Sequence, residues 1–189
     1  MKAIRDMSQA ELGAYVQSHL RKAGIDLVLS GGAVVAIYTS GKYVTRDLDF
    51  VNQSFTKREK IKEAMQELGF KELNRHFAHP DTQFFVEFPP GPVSFGDEPV
   101  AKTDEIRFDT GVLRVITPTD CVKDRLAWYY HFGDRQCLEQ AVLVAAECEI
   151  DIHEIRRWSQ AEGMLTEFDR IKRRLGRKPM PRDSRTTTA

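Results

Sequence analysis

The chain alternates between two hydrophobic rhythms. Leu12, Tyr15, Val16, Leu20 and Ala23 recur at three-to-four-residue spacing, the period of a helix with one buried face. Ser8 and Glu11 stand where a capping box would open that helix, which runs to about residue 22 before Gly24 closes it. Residues 26–29 form a short apolar run that reads as a buried strand, and Ser30-Gly31-Gly32 turns the chain into a second helix over 33–39. Over 46–51 the rhythm becomes strict alternation, with Asp47 and Asp49 on one face and Leu48 and Phe50 on the other. A charged amphipathic helix follows over 56–68, with Ile61, Ala64, Met65 and Leu68 inward and Gly69 as its stop. Residues 70–75 and 83–88 read as paired strands, and Pro89-Pro90-Gly91-Pro92 is a hard break. Residues 106–109 and 112–116 read as a hairpin around Thr110-Gly111. Thr117-Pro118-Thr119-Asp120 then starts a helix with a capping threonine, a proline at the first helical position and an early acid. From there to about residue 175 the period is helical throughout, in three or four segments.

This order of elements predicts an α+β fold: a mixed β-sheet with flanking helices over 1–117, a C-terminal helical region over 118–175 packed on it, and a disordered tail over 176–189. Composition agrees with a folded core, at 41% hydrophobic residues. No apolar run approaches the roughly twenty residues that span a bilayer, and the first residues lack the apolar segment of a signal peptide. Cys121, Cys137 and Cys148 are odd in number and form no close pair, which points to reduced thiols and a cytoplasmic protein. Zero net charge argues against a strongly basic nucleic-acid binder. The last 24 residues are the exception, with eight Lys or Arg against three Asp or Glu. Such an end could neutralise RNA phosphates or be an ordinary solvated helix terminus.

The candidate chemistry lies between residues 30 and 49. Only glycine lets backbone N–H groups approach a phosphate closely, and a helix N-terminus aims such groups at an anion. Gly31-Gly32 stands at the start of a helix. Two carboxylates one residue apart on a strand lie about 6.5–7 Å apart at their Cα atoms and face the same way. That spacing suits a divalent metal. Aspartate is depleted in strands; the structural alternative for Asp47 and Asp49 is a solvated edge strand with Arg46 as a salt-bridge partner. Other motifs fail. The run from Ala36 to Tyr43 lacks the first glycine and the final hydroxyl of a P-loop. No dinucleotide fingerprint or nucleophile elbow occurs, and His76 and His79 lack companions for a zinc site. His76 and His79 read as loop or strand-end residues, and Trp128, Tyr129 and Tyr130 as core and pocket wall, one of them a possible stacking surface for a base.

Strand, Gly-Gly turn, helix, then a strand with Asp-x-Asp resembles the nucleotidyltransferase superfamily of the DNA-polymerase-beta type, most clearly over residues 26–88. The resemblance implies that Asp47 and Asp49 bind Mg²⁺ or Mn²⁺ and that a third carboxylate follows on a later strand. Glu87 is the best candidate, being a lone acid in an apolar strand, and Asp81 the runner-up. It further implies an NTP substrate, with Ser30, Gly31, Gly32, Arg46, Lys123 and Arg125 meeting the nucleotide. A hydroxyl of RNA, protein or a small molecule would attack the α-phosphate, helped by Glu87. Asp120 and Lys123 match an Asp-x-x-Lys of small bacterial members of this group, which include abortive-infection type toxins, and Asp134 resembles a later acid of theirs. That likeness adds a possible antitoxin partner. A catalytically silent binding module is the alternative. The sequence departs from the pattern in the long stretch between Gly32 and Asp47, in a glutamate as third acid, and in Trp128 and Tyr129 where the toxins carry a second lysine.

Overall fold

The computed structural model describes residues 2–176; the remainder of the expected disordered tail lies outside the described residues. Helix α1 (Gln9–Lys22) opens with the predicted capping box, Ser8 accepting from the Glu11 N–H and Glu11 accepting in return. Strand β1 (Leu27–Ser30) leads into α2 (Gly31–Tyr38), and β2 (Asp47–Asn52) into α3 (Arg58–Glu67). Then come β3 (Lys71–Leu73), β4 (His76–Ala78), β5 (Phe85–Glu87), the short pair β6 (Ser94–Phe95) and β7 (Glu98–Pro99), and the hairpin β8 (Thr103–Phe108) and β9 (Gly111–Ile116). Four helices close the described chain: α4 (Pro118–Phe132), α5 (Arg135–Glu147), α6 (Ile152–Ala161) and α7 (Leu165–Leu175).

Seven strands form one mixed sheet in the order β3-β4-β5-β2-β1-β9-β8. Strands β1 and β2 are antiparallel, while β1–β9 and β2–β5 are parallel. One face carries Leu29, Leu48, Phe50, Phe77, Val86, Leu113 and Val115, all at 0% exposure. Helix α1 lies on this face so closely that a Cβ on Gly13 would touch the side chains of Leu113 and Leu48. Burying these side chains, each worth about 1.5–3 kcal/mol, anchors β2 and β5 side by side. The opposite face carries Ser30, Asp47, Asp49 and Glu87, with the first residue of α2 against Asp49. Helices α4 and α5 pack on α2.

One expectation needs correction. Residues 70–75 and 83–88 are not partners. The first run turns at Asn74, whose φ is +57°, so β3 and β4 make a hairpin and β4 supplies the partner of β5. Asparagine tolerates that left-handed conformation, and the turn contains neither the glycine nor the proline that would mark it. The β6–β7 hairpin was not anticipated; it is fastened by the indole N–H of buried Trp158, which donates to the Phe95 carbonyl at 3.1 Å.

Candidate active site

Register builds the site. Ser30 pairs with Asp49, Asp49 with Glu87, and Glu87 with His76. Residues paired across neighbouring strands point to the same side of a sheet, so these four side chains form one transverse row over β1, β2, β5 and β4. Asp47 shares that face two residues before Asp49 and pairs with Phe85. The two aspartates and Glu87 are therefore brought to one face, while Asp81 lies exposed in the turn before β5.

Gly31 sits against this row with φ +73°, and a Cβ there would overlap the Asp49 carboxylate. The turn and the Asp-x-Asp strand are thus in contact despite the fourteen residues between Gly32 and Asp47. The intervening chain folds back: Tyr43 and Thr45 lie against Gly32, and Gln9 donates to the carbonyls of Thr45 and Asp47 at 3.1 and 3.2 Å. Ser30 is the N-cap of α2, yet its side chain caps no N–H. Arg46 is exposed, and its carbonyl accepts from the Phe85 N–H at 2.9 Å, joining β2 to β5 just ahead of the carboxylates.

Asp49 is mostly buried, and its carboxyl is raised to about 6 by that burial first, then by the charges of Glu87 and Asp47. Arg125 on α4 opposes the shift, and Asp124 adds to it. Arg125 is held by Asp124 at 2.5 Å and by the Gln140 side chain at 3.3 Å. Lys123 faces elsewhere. Its side chain is 6% exposed, and its ammonium meets Glu154 at 2.6 Å, Asp120 at 3.5 Å and Glu98 at 3.6 Å. Asp134 caps α5 through the N–H groups of Gln136 and Cys137. Of the aromatic trio, Tyr130 stacks on Trp158, and Trp128 is 47% exposed beside Phe132.

The row's donors fit a hard divalent cation, being three carboxylates on one face with little opposing charge. Among the described residues no three acidic, histidine or cysteine side chains converge on a single point as they stand. His76, read in the sequence as a loop or strand-end residue, is the first residue of β4 and joins the row beside Glu87. Its place depends on the β4–β5 register, and the β3–β4 turn that sets it carries no strong sequence signal.

This sheet, with its glycine turn against the central Asp-x-Asp strand, is a nucleotidyltransferase-like fold. Among solved structures, the chain is similar to an antigenic nucleotidyltransferase-like protein from Paracoccidioides brasiliensis, at 13% identity and a TM-score of 0.56, covering 90% of this chain and 94% of that one. It is also similar to the antibiotic-resistance factor ANT(2'')-Ia in solution (12% identity, 85% and 91% covered, TM-score 0.47) and to ANT(2'')-Ia in complex with adenylyl-2''-tobramycin (13%, 88% and 99%, 0.49). No protein-family model and no curated protein sequence matches the chain. No helix among the described residues is long and apolar enough to cross a membrane.

Proposed function

We propose that this chain is a divalent-metal-dependent nucleotidyltransferase that moves a nucleoside monophosphate from an NTP to a hydroxyl acceptor. The observation that carries this reading is the registered row in which Glu87 opposes Asp49 while Gly31 abuts it. The first N–H groups of α2, which Ser30 leaves uncapped, offer an anion site for the triphosphate. Arg125 adds positive charge from α4. Asp47, Asp49 and Glu87 would hold Mg²⁺ or Mn²⁺, which neutralises the phosphate oxygens and the developing charge. The acceptor oxygen forms a bond to the α-phosphorus as the bond from that phosphorus to the β-phosphate bridging oxygen breaks. Glu87 would draw the acceptor proton, and pyrophosphate leaves with the bonding electrons.

Incubation of the protein with each α-labelled NTP, Mg²⁺ and cell extract tests the proposal. Label should pass to a macromolecule or small molecule in wild type and be lost in Asp49→Ala. The spread of the three carboxylates favours a second reading, a silent nucleotide-binding module. Mg²⁺-dependent nucleotide binding without any transfer would establish that reading instead.

A further inference from the structure

One stripe of α4 runs from the core out past Asp49. Cys121, Arg125, Trp128 and Phe132 follow one another three or four residues apart, and Asp124 lies beside Arg125, so these side chains share one side of the helix. Cys121 is buried in the core, and Asp124 and Arg125 are mostly buried and act on the Asp49 carboxyl through their charges. Trp128 and Phe132, further along the same stripe, are exposed. Trp128 follows Arg125 by three residues, about 4.5 Å along the axis at a rise of about 1.5 Å each. The other tryptophan, Trp158, belongs to the core: its ring stacks on Tyr130 and its N–H is bonded to the Phe95 carbonyl. Among the described residues the Trp128 ring meets one other ring, that of Phe132, with centroids 5.0 Å apart, and 47% of Trp128 stays exposed.

We propose that this chain selects purine NTPs by stacking, with the nucleobase laid on the Trp128 ring and Phe132 bracing that ring; this rests on the nucleotide placement given above. Helix α4 packs on α2, whose N-terminus is where the triphosphate is placed, so the stripe begins on the nucleotide's side of the row. With the α-phosphate at Asp49, the sugar spans the step past Arg125 and the base arrives at the next turn of α4. A ring platform reads the flat face of a base and not its hydrogen-bonding edge. It therefore favours the larger purine rings over pyrimidines and separates adenine from guanine poorly. Trp128 is a specificity-determining residue: it touches the base and takes no part in the chemistry at phosphorus.

The test is calorimetric titration of the four NTPs and of inorganic tripolyphosphate, each with Mg²⁺, into wild type, Trp128→Ala and Trp128→Phe. ATP and GTP should bind wild type more tightly than CTP and UTP. Trp128→Ala should weaken ATP and GTP about tenfold, within the worth of one base–aromatic stack. Tripolyphosphate, which has no base, should bind wild type and Trp128→Ala alike, and Trp128→Phe, which keeps a ring, should recover most of the loss. Indole fluorescence gives a second reading on the wild type itself: ATP should quench it and tripolyphosphate should not. Unchanged ATP and GTP affinity in Trp128→Ala, an equal loss for tripolyphosphate, or no purine preference in wild type overturns the proposal. A wild-type protein that binds neither NTP nor tripolyphosphate overturns the nucleotide placement, and this inference with it. One that binds purine NTPs through Trp128 yet transfers no label overturns the transferase reading alone.

Discussion

Lys123 and Asp49 are both charged side chains drawn into the protein, and their surroundings are opposite. Lys123 is enclosed by Glu154, Asp120 and Glu98, and Arg157 binds Glu98 and Glu154 in turn. Glu154 accordingly titrates low, at about 2, owing first to its bond with Arg157 and next to that with Lys123. Asp49 is surrounded by its own sign, and its carboxyl is raised to about 6. A closed network of opposite charges holds structure together. A cluster of like charges left open is a place where a cation binds. The pair therefore separates a structural lysine from a candidate functional aspartate, although the family resemblance assigned both to one site.

The sharpest break of this contrast is at Asp49. Asp49→Asn should lower Mg²⁺-dependent nucleotide transfer by a factor of about 10² or more, while thermal melting without divalent ions shows a protein at least as stable as wild type. Removing one of several repelling charges costs the fold nothing. A marked fall in melting temperature would mean that Asp49 is a structural residue after all. Lys123→Met should do the reverse. Stripping the buried ammonium leaves partly exposed Glu154 and Glu98 to Arg157 and Asp120 without its partner, which costs about 1–3 kcal/mol, measured by urea unfolding. Nucleotide affinity at a temperature where the variant remains folded should be unchanged; a tenfold loss there would return Lys123 to the site.

The two charge environments also respond to pH with opposite signs. Asp49 has a folded pKa of about 6 against an ordinary 3.8. Between those values the native state holds a proton that the unfolded chain has released. Stability therefore falls as pH rises through that window, by up to about 3 kcal/mol at about 1.4 kcal/mol per unit. Glu154 is shifted the other way, so its contribution is present above about 4.5 and is lost as pH falls toward 2. In metal-free buffer, wild type minus Asp49→Asn should show the first slope, and Mg²⁺ should flatten it by competing with the proton. A difference that is flat from pH 4 to 6 would show that Asp49 does not titrate as described.

The parts of this molecule that could be read in sequence are those written in neighbouring residues. The capping box at Ser8, the alternation through Asp47 and Asp49, and the helix start at Thr117 depend on spacings of a few positions, and the α+β fold follows from their order. The register between Asp49 and Glu87 depends on β5, whose other neighbour β4 was hidden by an asparagine turn; His76 was hidden with it. The enclosure of Lys123 was invisible for a similar reason. Its partner Glu154 is 31 residues away, on a helix whose docking no local pattern announces.

The smallest effect tests the contrast at its finest scale, because two neighbouring parallel strands end alike. Strand β1 ends in Ser30 ahead of α2, and β9 is followed by Thr117 ahead of α4. Both hydroxyl residues are N-caps. Thr117 accepts from the Asp120 N–H at 3.1 Å, whereas Ser30 caps nothing. Thr117→Ala should cost about 1 kcal/mol of stability, the usual worth of a lost cap. Ser30→Ala should change stability by no more than about 0.5 kcal/mol, yet weaken NTP binding, because its hydroxyl sits beside the N–H groups proposed to meet the phosphates. Urea unfolding and nucleotide titration on the two variants read these separately. Equal stability losses in both would mean that Ser30 is an ordinary cap, and that the open end of α2 is not reserved for an anion.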